Sequence, residues 1–124
     1  MISIKDLRDW IATKITGTIY PQFCDMNNPE NIGVYLRDTG DKSQAISSLS
    51  DHELRYYKAI VHWSTNIGTA EAKAKELAAL FNNKTETING KSCIFTLERQ
   101  PTCLGRTDKL IWEYLVLFRI IEED

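Results

Sequence analysis

The sequence predicts a single α+β domain spanning residues 1–124, in which a mainly antiparallel sheet packs against two helices. Two segments carry apolar residues at helical spacing, "SIKDLRDWIATKI" and "AEAKAKELAALF". Two others, "ELRYYKAIVHWS" and "WEYLVLFRI", alternate strictly. An Asn-Gly pair at 89–90 joins two β-rich arms and marks a hairpin. A chain of 124 residues is long enough for one core and too short for two comfortable ones.

The first helical segment places Ile4, Leu7, Ile11 and Ile15 on one face with Trp10 beside them. Ser3 stands at the N-cap position with Asp6 three residues on, and Thr16, Gly17 and Thr18 end the helix. "YPQFCDMNNPEN", residues 20–31, is rich in Pro, Asn and Asp and reads as an irregular connection. Short strands are expected at "IGVYLRD" and "SQAISSL", paired as a hairpin through the turn residues "TGDK".

In "ELRYYKAIVHWS", Tyr57, Ala59, Val61 and Trp63 share one face, while Tyr56, Lys58, Ile60 and His62 share the other. The second helix turns Ala70, Ala74, Leu77, Ala78 and Phe81 to the core, with Thr69 as its cap and Glu71 to Lys75 as a favourable i,i+4 pair. The hairpin "TETINGKSCIFTLE" follows, with Cys93, Phe95 and Leu97 on one face of its second arm. The last apolar run is a strand by period: Trp112, Tyr114, Val116, Phe118 and Ile120 alternate without a break, and β-branched and aromatic residues dominate. Its other face carries Glu113, Leu115, Leu117 and Arg119. A strand solvated on one side is polar there, so Leu115 and Leu117 require cover from a helix or from another chain. The end "EED" reads as a solvated acidic tail.

Composition narrows the function classes. The hydrophobic fraction of 43% and charged fraction of 26% are those of a globular protein, and no apolar run reaches the length of a membrane-spanning helix. "MISIKDLRDW" carries charges where a secretory leader needs an apolar stretch, so folding in a cytoplasm is expected. The net charge of −2 and the lack of a polybasic run argue against tight nucleic-acid binding, which draws on released counterions. Three cysteines without a C-x-x-C pair suggest neither a disulfide framework nor a zinc knuckle.

No catalytic, cofactor-binding or metal-binding set emerges by spacing. His52 lies in a turn beside Asp51 and Glu53, and His62 lies on a mixed strand face. Neither has a partner at metal-ligand spacing, so both read as surface or satisfied core residues. Cys103 in "PTCLGR" neighbours Arg106 but has no recognisable base, and Cys93 reads as a core thiol. "GTAEAKAK" lacks the glycine spacing of a phosphate loop, and Asn83-Lys84-Thr85 is a chance sequon.

The segments "MISIKDLRDWI", "NIGVY", "AIVHWS" with the following "AEAKAKEL", and above all "CIFTLERQPTCLGRTDKLIWEYLVLFRI" resemble the small minor capsid proteins of tailed phages and prophages of Gram-positive bacteria. The resemblance implies a non-enzymatic virion structural protein, similar in fold to tail terminators and head-tail completion (head-tail joining) proteins. Such proteins assemble as rings, commonly hexameric, at the neck or tail end. It implies no active site and no cofactor. The implied partners are further copies of the chain and other phage head or tail proteins, and the implied location is the virion after assembly in the host cytoplasm. Under this reading Glu113, Leu115, Leu117 and Arg119 are the candidate oligomer interface, because a heterologous ring contact buries one patch of each subunit against a different patch of the next. The alternatives from other classes are a small enzyme or ligand-binding domain using a helix–sheet pocket, and a peptide-binding adaptor without catalysis.

Overall fold

A computed structural model describes residues 2–37 and 52–123, with the side chain of His52 outside that description. Among the described residues the chain runs α1 (Ile4–Lys14), β1 (Thr18–Pro21), β2 (Glu30–Leu36), β3 (His52–Trp63), α2 (Ile67–Ala79), β4 (Lys84–Ile88), β5 (Lys91–Leu97), β6 (Thr102–Arg106) and β7 (Trp112–Glu123). The class is α+β. The strands form one sheet ordered β1-β2-β3-β7-β5-β4, with β6 also paired to β7. Every pairing is antiparallel except β1 with β2. The final strand is therefore central: β3 runs along one edge, and β5 and β6 share the other, β6 on residues 112–115 and β5 on residues 118–123.

The first helix starts as its sequence dictates. Ser3 Oγ accepts from the Asp6 N–H at 3.0 Å while the Asp6 carboxylate accepts from the Ser3 N–H at 3.0 Å, a complete capping box. The second helix begins earlier than expected, and its cap is Asn66 rather than Thr69: Asn66 Oδ1 accepts from the Thr69 N–H at 3.0 Å. Asn is as good a cap as any residue, and an Asn three residues upstream of Thr69 outcompetes it for the free N–H groups. Asn89 and Gly90 both have positive φ, 50° and 80°, as a type I′ hairpin turn requires.

Both helices lie on one face of the sheet. Leu7 and Ile11 of α1 and Ala70, Ala74, Leu77 and Ala78 of α2 share one core with Tyr57, Ala59 and Val61 of β3, Phe95 of β5, and Val116, Phe118 and Ile120 of β7. The alanines let α2 approach the sheet closely enough for Phe81, just past its end, to stack on Phe118 with ring centroids 3.7 Å apart and planes 2° from parallel.

Several expectations need correction. Residues 20–31 are not wholly irregular: Thr18–Pro21 forms a short strand parallel to β2, with Ile19 fully buried. β2 pairs with β3; the expected hairpin partner "SQAISSL" and its turn "TGDK" lie outside the described residues. His52 belongs to β3, not to a turn. "PTCLGR", for which no element was expected, contributes strand β6. The acidic end is not a solvated tail, for β7 runs through Glu123 and Glu122 is buried, accepting from the Ile2 N–H at 2.7 Å. That bond and the central position of β7 secure a chain end that would otherwise fray.

Burial raises the Cys93 thiol to about 11, helped by the charge of Glu122, and pushes the Tyr57 hydroxyl up as well. The folded state thus holds the Cys93 proton more tightly than the unfolded chain, whose thiol ionises near 9.0. Between those two values the unfolded chain binds fewer protons, so stability is full below pH 9 and falls as pH rises towards 11. Cys93 is expected to account for about 1–2 kcal/mol of that loss. Urea midpoints measured from pH 8 to 11 should fall less steeply in Cys93→Ala than in the native chain.

Candidate functional site

The face of the sheet away from the helices has two parts, and the residues between β1 and β2 divide them. Residues 22–29 cross over β2 where it carries Gly33. A Cβ there would lie 2.4 Å from the Phe23 carbonyl oxygen, so only glycine admits the crossing. The crossing is tied down by Asn31, which is fully buried. Its Nδ2 donates to the carbonyls of Asp25 and Asn28, both at 2.8 Å, and its Oδ1 accepts from the Asp25 N–H at 2.8 Å. The Lys109 ammonium donates to Asn27 Oδ1 from the turn before β7.

Beneath this crossing Asn31, His62 and Glu113 stand side by side on β2, β3 and β7, since Asn31 is opposite His62 and His62 is opposite Glu113. Cys24 joins them from the crossing segment. One donor atom each of Cys24, His62 and Glu113 lie within 4.8 Å of one another. His62 is completely buried, and its Nδ1 is 2.8 Å from Glu113 Oε2. A carboxylate oxygen accepts and the ring N–H donates, while Nε2 has no hydrogen-bond partner. Cys24 Sγ donates to Asn31 Oδ1 at 3.4 Å.

This group is a poor nucleophilic centre. A cysteine attacks as its thiolate, yet burial, followed by the charges of Glu113 and Asp25, pushes the Cys24 thiol up to about 11. Its proton is directed to Asn31 rather than to the imidazole. The two carboxylates that disfavour a further negative charge favour a positive one. His62 is a core residue with one ring nitrogen bonded and the other unpartnered, and strand register rather than sequence spacing supplies its neighbours.

Neither described helix covers the rest of this face. Ile60, Leu115 and Leu117 are half-buried neighbours, with Leu115 opposite Ile60 and Leu117 opposite Lys58. Arg119 lies between Tyr56 and Thr96. Charges rim the patch: Arg37 pairs with Glu98 and lies over the Tyr56 ring, and the Lys58 ammonium lies over the Tyr35 ring. The four interface candidates therefore share one face, but they divide between its two parts. Leu115, Leu117 and Arg119 border the open patch, and Glu113 turns to His62. Cys103 of β6 is exposed.

No family model and no curated protein matches the chain. Among solved structures, one aligns with 97% of this chain and 89% of its own length at 17% sequence identity and a TM-score of 0.47. Among the described residues, no helix is long and apolar enough to cross a membrane.

Proposed function

We propose that this chain is a non-enzymatic structural subunit of a tailed phage or prophage virion, a minor capsid, head-tail joining or tail-terminator-like protein that assembles into a ring. The observation that carries the reading is the sheet face away from the described helices, where, among the described residues, Ile60, Leu115 and Leu117 are only half-buried. An antiparallel sheet left to solvent on one face is ordinarily polar there. A neighbouring subunit in a ring supplies the missing cover, and a rim carrying both signs of charge sets its orientation without dominating its affinity. The resemblance of the C-terminal segment to phage minor capsid proteins supports the virion assignment. A net charge of −2 suits a ring through which DNA passes without being retained.

The test is molar mass by light scattering on a size-exclusion column at several protein concentrations. A discrete multiple of the monomer is expected, with Leu115→Asp and Leu117→Asp returning it to monomer. The two variants should keep the native circular dichroism, and each should change unfolding free energy by no more than about 1 kcal/mol, because neither side chain belongs to the core. A chain that stays monomeric throughout, with charged variants that behave identically, sets the ring aside in favour of a peptide-binding adaptor.

A further inference from the structure

We infer that Cys24, His62 and Glu113 form a binding site for a single divalent transition-metal ion of the zinc class. The donor set is one thiolate, one imidazole and one carboxylate, each a common zinc ligand, and together they leave one of four tetrahedral positions free. The spacing is close to what such an ion requires. Bond lengths of about 2.0–2.3 Å give ligand-to-ligand edges of about 3.3–3.8 Å, and the three donor atoms already lie within 4.8 Å. Shifts of about 1 Å close the difference, and Cys24, carried on a surface crossing rather than a strand, is the side chain free to make them.

A further observation favours a cation. His62 is wholly buried with Nε2 unpartnered, so its present hydrogen bonding leaves the ring half-used, an uncommon state for a buried imidazole. Binding of a divalent ion as thiolate ligand releases the thiol proton to solvent. The bound ion would pin residues 22–29 to β3 and β7, with water in its fourth position, and the site is independent of how the rest of the face is used.

The full chain, stripped with a chelator, is titrated with cobalt(II) as a spectroscopic probe. One cobalt per chain is expected, with thiolate-to-cobalt charge-transfer absorption in the near ultraviolet. That absorption should persist in Cys103→Ser, disappear in Cys24→Ser, and need at least tenfold more cobalt in the isosteric Glu113→Gln. Zinc at about a hundredfold excess over its dissociation constant should displace the cobalt and raise the melting temperature by about 10 °C. These positions are chosen because replacing the buried His62 risks unfolding. Absence of the absorption in the native chain overturns the assignment. So does absorption that survives Cys24→Ser and vanishes with Cys103→Ser, which would place the metal on the exposed thiol.

Discussion

Phe118→Ala is expected to cost about 3–5 kcal/mol, a large part of the stability of a domain this size. Phe118 is fully buried at the middle of β7 and has aromatic rings on two sides. Phe81 stacks on it at 3.7 Å, and Tyr57 lies 5.5 Å away at 12° from parallel. Phe81 also meets Phe95 edge-on at 5.5 Å, and Phe95 in turn lies 4.9 Å from Trp10. Removing Phe118 therefore takes away its own burial and leaves Phe81 and Tyr57 facing a void. The strand backbone cannot collapse into that void, because β7 is held on both edges by β3 and β5. Urea unfolding measures the loss. The control is Leu117→Ala, one residue away on the open face, where about 1 kcal/mol is expected because no cavity forms. Equal losses at the two positions would show that the aromatic stack is not the centre of the core.

The large elements were legible because each repeats one physical signal. The 3.6-residue stripe of Leu7 and Ile11, the two-residue alternation from Tyr114 to Ile120 and the Asn89-Gly90 turn all depend on local chemistry. What escaped sequence reading depends on contacts between distant residues. Nothing near Thr18–Pro21 marks a strand, since its ladder is completed only by β2. "PTCLGR" is mostly exposed and pairs because β7 is long enough to offer it an edge. Glu122 has the composition of a tail but is buried against the Ile2 N–H, 120 positions away in the chain. Lys73 sits on the helix face expected to be apolar because its ammonium lies 4.6 Å from the Trp63 ring centroid and 3.3 Å from Thr16 Oγ1. The Cys24, His62 and Glu113 group was invisible for the same reason. Its members come from three separate segments, and only the register of β3 against β7 and the crossing over Gly33 bring them together.

Asn31→Asp is expected to cost about 3 kcal/mol or more although it changes the side-chain shape hardly at all. Asn31 Nδ2 donates to two carbonyl oxygens, of Asp25 and Asn28, in a fully buried position. A carboxylate has no donor to offer there, so two partly buried carbonyls lose their partner and face an oxygen instead. What survives is what Oδ1 accepts, the bonds from the Asp25 N–H and the Cys24 thiol. Protonating the aspartate restores at most one of the two lost bonds, and burial of the charged form adds its own cost. Because Asn31 organises residues 25–28, the damage reaches beyond stability: the segment carrying Cys24 loses its anchor, and the thiol moves away from His62 and Glu113. The substitution should therefore lower the unfolding free energy and weaken cobalt binding together, whereas Phe118→Ala should lower stability while leaving cobalt affinity nearly native in the folded fraction. Titrating cobalt into both variants at a temperature where each remains folded separates the two effects. Unchanged cobalt affinity in Asn31→Asp would show that the crossing keeps its shape without the amide, and that the hydrogen bonds of Asn31 act on the core alone.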